Sequence, residues 1–464
     1  MLLKAKSIDA TRGSIIPKII LYALPLIIST LVQKLFNTID IVVLGNLADT
    51  TAVAAVGATT SIVSLVVDTF VGLSSGTKII FARQFGAKDE ARIKKTEDTS
   101  LLLGFILGVI VAVIGIIFAP WFLRVTNCPA ECFNDAVLYI RIYACAAPAV
   151  LIYNFGSSVL TASGDTQRPL YYIIAGGVLN AVLNVILCLI LPRKVAAVAI
   201  ATAASQLLGA FLVVWRLCKL EGLGKLVIKK MSFSLQSLGK IMRFGLPLAL
   251  NHALYPLANL QIQSAINAYG LASTAGNSAG STLDGIVSSF AGPFGTTCAT
   301  FMGQNFGAKE NERAKKSFLH CLWLCVAIGG AAGIIFFLLS KPLLLPMILS
   351  GDPLAVEAIE YGYWRMLFVA GFYWIAALNN VLSSSIQSYG YSLITAINSI
   401  ACVFGFRMVW MLWIYPPFHS PGDMSGFKWL MACFTVSWAL LLVCNIVANI
   451  VIRVIAKKKG IKQI

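Results

Sequence analysis

Four stretches of this chain, 101–123, 169–191, 195–215 and 429–452, each run for more than twenty residues without a charged side chain. A helix of that length crosses ~30 Å of hydrocarbon, and helices are the open segments whose backbone polar groups satisfy themselves in lipid. Followed along the chain, the same pattern predicts twelve spans, at 15–45, 51–81, 97–123, 134–162, 169–191, 195–217, 240–268, 272–302, 317–345, 356–387, 391–415 and 429–452. Several are much longer than twenty residues, so tilt, bending or extension into water is expected. Pro25, Pro148, Pro247, Pro256 and Pro293 fall inside spans and are the expected bends.

Composition agrees. With 58% hydrophobic and 12% charged residues and a mean hydropathy of +0.83, too few polar side chains remain to cover a water-soluble globule. The net charge of +17 invites a nucleic-acid reading, but the basic residues gather in alternate connections, which is what orientation in a membrane requires. Lys4, Lys6 and Arg12 precede the first span, five basic residues lie from Arg83 to Lys95, and seven from Arg216 to Arg243. Connections near Asp49, Glu131 and 352–360 are sparse in basic residues or acidic. The expectation is a multi-pass inner (plasma) membrane protein with both termini cytoplasmic and no nucleic-acid partner. No cleavable signal peptide is expected, since the first apolar stretch carries Lys18, Lys34 and Asp40.

The chain also repeats itself. Residues 82–95 (ARQFGAKDEARIKK) return as 303–316 (GQNFGAKENERAKK) with seven identities and no gap, 221 positions later. Both copies fall on the predicted inner side, so each half crosses an even number of times and the halves are parallel repeats about an axis along the membrane normal. The fold expected is all-α integral membrane, with twelve transmembrane helices as two six-helix parallel repeats around a central cavity. The N-terminal lobe is 1–220, a cytoplasmic linker 221–240 and the C-terminal lobe 241–464. Pro25 pairs with Pro247, Asn37 with Asn259 and Asn154 with Asn380, whereas Asp40 aligns with Ile262.

Enzyme chemistry finds no support. No Gly-x4-Gly-Lys-Ser/Thr loop occurs, Gly72-Leu-Ser-Ser-Gly-Thr-Lys78 having the wrong glycine spacing inside a span. His-Glu-x-x-His is absent and there are three histidines. The eleven cysteines are scattered and read as small apolar residues; Cys128 and Cys132 alone form a close pair near an outer connection. An ion gradient is the remaining drive for transport, with no cofactor.

An intramembrane charge costs roughly 2.5 to 3.5 kcal/mol on insertion scales and needs a reason to persist. Asp40 is such a charge, and helical spacing puts Gln33, Asn37 and Asp40 on one face. Asn180 and Asn184, one turn apart in the fifth span, Thr202 in the sixth and Asn154 in the fourth lie at comparable depth, predicting a polar pocket around one carboxylate. For the asparagines, interhelical hydrogen bonding that holds the bundle is the competing reading; for Asp40 it is a pair with Lys34.

These residues resemble the multidrug and toxic compound extrusion family, over essentially the whole chain. The likeness rests on Ala23-Leu-Pro25 and Gly245-Leu-Pro247 opening the two halves, Asp40, the paired Phe-Gly-Ala-Lys loops, Ala162-Ser-Gly-Asp-Thr-Gln-Arg-Pro169 and Ala199-Ile-Ala-Thr202. What it implies is antiport: H⁺ or Na⁺ entry on the N-terminal half drives export of amphipathic, often cationic, small molecules by alternating access. Asp40 would carry the ion, Gln33, Asn37, Asn154, Asn180, Asn184 and Thr202 match the polar cluster, and Pro25 matches the proline that bends the first helix. No metal is implied apart from Na⁺ at Asp40, Asn180 and Asn184. The sequence departs from some members, which carry a second acid where Asn184 stands or a glutamate where Tyr255 stands.

In the C-terminal half Asp284 and Arg407 lie well inside hydrocarbon and are expected to pair, as a lobe-stabilising bridge or as a gate. Arg141 and Arg365 read as helix anchors near outer ends, and Asp68 as a lone acid. Tyr153, Tyr255 and Trp374 are the candidates for the substrate cavity, each also explicable as packing. A monomer is expected. A lipid-linked oligosaccharide or polysaccharide flippase of the same superfamily is the alternative, although such flippases often have fourteen spans and a basic cavity.

Overall fold

The computed structural model describes residues 7–47, 50–126, 128–220, 222, 224–348, 354–416 and 424–459, the side chains at 37, 39–42, 44–47, 50, 51, 53, 260 and 459 excepted. Among these residues all regular structure is helical. In chain order the helices are α1 (Ile15–Leu47), α2 (Thr50–Ala87), α3 (Glu90–Val125), α4 (Phe133–Cys145), α5 (Ala147–Ala162), α6 (Gln167–Ile190), α7 (Lys194–Cys218), α8 (Leu235–Asn267) and α9 (Leu271–Gly307). They continue with α10 (Asn311–Cys325), α11 (Ala331–Leu338), α12 (Ser340–Leu344), α13 (Ala355–Phe368), α14 (Tyr373–Ser388), α15 (Ser392–Ser399), α16 (Phe406–Val409) and α17 (Met424–Lys459).

Eight helical stretches are long and apolar enough to cross a membrane, or ten if α4–α5 and α13–α14, bent by 47° and 42°, each count as one span. The two other expected spans, 240–268 and 272–302, fall on α8 and α9, helices of 33 and 37 residues whose many Ser, Thr, Asn and Gln lower their hydropathy. The α4–α5 bend is at Pro148, as expected. The α13–α14 bend has no proline; it is made at Ala370-Gly371, where the Gly371 N–H reaches back to the Met366 carbonyl. Pro25 and Pro293 lie within continuous helices. The helices of the second half are also interrupted by π-helical segments at Val326–Gly330, Ile400–Gly405 and Trp410–Ile414.

The duplication is visible in the turns. Lys88 and Lys309, equivalent residues of the Phe-Gly-Ala-Lys loops, are the non-glycine residues with positive φ among those described, at 54° and 64°. In each copy the following N–H bonds a carbonyl five residues back, Asp89 to Gln84 at 3.2 Å and Glu310 to Asn305 at 2.8 Å. Gly164 and Gly390 form a second matched pair, with φ of 97° and 95°, and their amides close on Thr161 and Gln387. At Gly164 a Cβ would lie 2.2 Å from the Ile8 carbonyl oxygen, so this turn requires glycine by both conformation and contact.

Two compact units result. One comprises 1–12, 24–249 and 307–309, the other 13–23, 250–306 and 310–464. The division therefore runs inside α1 and α8 near Pro25 and Pro247, and not at the 221–240 connection. Within the first unit, Gly72 and Gly76 of α2 meet the backbone of α8 directly: a Cβ on Gly76 would lie 2.4 Å from Gly245 Cα and one on Gly72 2.7 Å from the Leu248 carbonyl. The glycine spacing that fails as a phosphate loop is a small-x3-small contact, answered on α8 by Gly245 and Ala249. In the second unit Gly276 of α9 packs on the Ala358 and Gly362 backbone of α13 in the same way.

Candidate functional site

In the first unit α1, α5, α6 and α7 line a half-open cavity of about 160 Å³. Phe36 lies against Gly177, where the missing Cβ lets α1 come close to α6. Gln33, Tyr153, Asn180 and Thr202 all line this cavity, so four of the residues expected to act are brought together. Asn184 is fully buried one turn along and donates to Asn180 Oδ1 at 3.1 Å; Asn180 Nδ2 lies 3.3 Å from Thr202 Oγ1, which donates to the Val198 carbonyl. This relay of neutral amides and a hydroxyl crosses from α6 to α7. It presents oxygen atoms that could accept a proton donor or ligate a hard cation.

Asn154 does not line the cavity; its Nδ2 donates to the Val150 carbonyl of its own helix at 2.9 Å. Asp40 and Asn37 lie on the α1 backbone beyond Gln33, and their side chains are outside the described residues. Pro25 lies in α1 one residue beyond the point where the two units divide the helix. Nearby the Asp165–Arg168 ion pair, with the Arg168 N–H donating to Asp165 Oδ1, fixes the turn that leads into α6.

The second unit holds its charges differently. The expected bond between Asp284 and Arg407 is not made: Asp284 Oδ2 accepts from Arg365 Nε at 2.8 Å, and Arg365 Nη1 donates to Asn277 Oδ1 at 2.7 Å. Arg365 is thus a buried network member and not an outer-end anchor. Gly280, one turn before Asp284, leaves the room, since a Cβ there would stand 3.0 Å from Arg365 Cδ. The spacing Gly276-x3-Gly280-x3-Asp284 was the available signal in the sequence.

Arg407 is fully buried. Its Nε donates to Ser437 at 3.1 Å and Nη1 to Asn259 Oδ1 at 2.7 Å, while the guanidinium stacks over Phe434 and Tyr255 at 4.6 and 5.4 Å. The Tyr255 hydroxyl also accepts from Trp438 Nε1 at 3.0 Å. Beneath this lies an amide ladder: Asn445 donates to Asn379 at 3.0 Å, Asn398 to Asn445 at 3.1 Å and Asn379 to the Trp438 carbonyl at 2.9 Å. Trp374, on α14, is 38% exposed. Asp68 is half-buried on α2 and has interactions of its own. Arg141 donates to the Ile116 carbonyl at 3.1 Å. Cys128 and Cys132 are free thiols with sulfurs 3.8 Å apart, and among the described residues no group of three or more His, Cys, Asp or Glu is arranged to hold a metal ion.

The chain is 26% identical to the probable multidrug resistance protein YoeA of Bacillus subtilis (strain 168) over 91% of both chains. It is 24% identical to an FAD transporter of Shewanella oneidensis over 67% of this chain and 70% of that one. A solved outward-facing multidrug resistance MATE family transporter of the MOP superfamily superposes with a TM-score of 0.84 at 20% identity, covering 98% of each chain. The MatE family model matches residues 25–186 and again 247–413, once in each half. The chain belongs to the MatE family of membrane transporters.

Proposed function

We propose that this transporter is a secondary active multidrug antiporter, exporting amphipathic, often cationic, compounds in exchange for H⁺ or Na⁺ by alternating access. The observation that carries the reading is the N-terminal cavity, where Gln33, Asn180 and Thr202 converge inside the span layer on the helix that bears Asp40. Neutral amides and hydroxyls suit a site whose charge must change during the cycle. They solvate a carboxylate or a bound cation without a fixed counter-charge that would hold either one permanently. Asp40 carries the coupling ion, and Asn184 orients Asn180 through their hydrogen bond. Twelve spans in two parallel six-helix repeats, with both termini in the cytoplasm, follow from counting α8 and α9 as spans and from the placement of basic residues. The names of relatives such as YoeA support export of drug-like cargo; the FAD transporter shows that cargo in the wider group is not restricted to drugs.

The test is dye efflux from proteoliposomes with a proton gradient and a sodium gradient imposed separately. Asp40→Asn is expected to abolish efflux under the coupling gradient while the protein elutes as a folded species. Undiminished gradient-driven efflux by that variant would remove Asp40 from the mechanism.

A further inference from the structure

Arg407 carries a permanent positive charge and, among the described residues, makes no ion pair. Among the described residues of the second unit the one buried carboxylate close to it in the fold, Asp284, is bonded to Arg365, and both guanidiniums flank the same Phe434 ring, at 5.4 and 4.6 Å. The core around Phe434 thus holds two guanidiniums and one carboxylate. Arg407 has neutral partners at Nε and Nη1, and its Nη2 is buried with no acceptor. A buried unpaired charge and an unmade charged hydrogen bond are both costly, so such an arrangement persists where something else supplies the acceptor.

The backbone points to the same residue. Arg407 sits on α16, a four-residue α-helical turn between the π-helical segments Ile400–Gly405 and Trp410–Ile414. π-Segments are rare and concentrate at functional sites. At the end of that turn Trp410 holds a second buried N–H without an acceptor. The approach is also built: Tyr255 and Asn259, which touch the guanidinium, are four residues apart on one face of α8, Tyr255 being 37% exposed and Asn259 partly so.

We propose that Arg407 is an anion-recognition point in the C-terminal unit, taking a carboxylate or phosphate group of an amphipathic cargo whose aromatic or apolar body rests on Tyr255. The open Nη2 and the planar guanidinium suit a two-oxygen acceptor. The inference rests on the reading of the protein as a small-molecule exporter, and extends it to cargo carrying negative charge.

The test is equilibrium binding to the full chain in detergent, which needs no gradient and so separates this proposal from the coupling mechanism. Three probes are used: flavin mononucleotide for phosphate, fluorescein for carboxylate and riboflavin as the uncharged counterpart of the first. Wild-type protein is expected to bind at least one of the two anions more tightly than riboflavin. Arg407→Gln should weaken that anion by roughly ten- to hundred-fold and leave riboflavin unchanged, while Arg407→Lys, which retains charge without the fork, falls between. Thermal unfolding of each variant shows which are folded; if Arg407→Gln is not, the Lys variant and Asn259→Ala, which removes only the Nη1 acceptor, carry the comparison. Equal binding of all three probes to wild type overturns the proposal, as does a folded Gln or Lys variant that keeps full anion affinity. Loss of gradient-driven efflux with the anion preference intact would bear on the antiport mechanism and leave this site standing.

Discussion

The two halves of this transporter share a framework and fill it with opposite chemistry. In the first, the polar groups gathered at the cavity carry no fixed charge: Gln33, Asn180 and Thr202 line it, with Asn184 behind them. In the second, guanidiniums take that place: Arg365 is bonded to Asp284, and Arg407 has neutral partners at Asn259 and Ser437 beside aromatic rings, its Nη2 left without an acceptor. The matched turn glycines allow a direct comparison. Asn180 stands sixteen residues after Gly164 and Arg407 seventeen after Gly390, so an amide in one half occupies the level that a guanidinium occupies in the other. Likewise Asn259, the counterpart of Asn37, binds Arg407, and Ile262, the counterpart of Asp40, is buried in an apolar cluster. A duplicated scaffold thus carries neutral amides around a cavity in one half and buried guanidiniums in the other.

That contrast can be broken in several ways. The largest effect is expected where both halves depend on close backbone approach: Gly76→Leu forces α2 from α8 and should leave little folded protein by size-exclusion chromatography, whereas Leu at Gly57, which has open space around it, should be tolerated. Next is the ionic core. Asp284→Asn leaves Arg365 buried beside an amide and should cost about 3–5 kcal/mol, read as a large fall in thermal unfolding temperature. The double change Asp284→Leu with Arg365→Met should recover most of that loss; equal loss in single and double variants would show that the pair does not act as a unit. A smaller cost, about 1–3 kcal/mol, follows Gly164→Ala, because the new methyl group meets Ile8 in a backbone conformation that alanine avoids. The smallest stability effect belongs to the neutral site: Asn180→Ala should lose about 0.6–2 kcal/mol, yet reduce gradient-driven efflux far more than Asp284→Asn does per unit of stability lost. Were Asn180→Ala to transport normally, the amide relay would be packing alone.

Much of this architecture could be read from the residues. Charge-free runs located the helices, the Phe-Gly-Ala-Lys repeat located equivalent turns, and Pro148 located one bend. The equivalent bend at Gly371 was not legible, because a glycine next to an alanine in an apolar run permits a backward hydrogen bond without announcing it. The π-segments around Arg407 have no sequence mark either, since their extra residue is accommodated by packing between helices. In the N-terminal site the spacing of Asn180, Asn184 and Thr202 foretold their contact, but Asn154 satisfies its own helix. In the C-terminal unit, depth estimates matched Asp284 with Arg407, while the side-chain room made by Gly280 gave the carboxylate to Arg365. Helix rise measures height; it does not say which faces meet.

The exchange of helix segments between the compact units constrains the order in which the protein can be made. Residues 24–220 emerge from the ribosome well before 235–249, yet the unit they form includes that later stretch, with Gly76 against Gly245. The other unit waits on nothing downstream but needs 13–23, which include the first helical residues synthesised. An N-terminal half-protein would therefore stall with the glycine face of α2 uncovered, exposed to neighbouring helices in the bilayer. Synthesis of the complete chain, or co-expression of a second fragment that begins before α8, is what closes it.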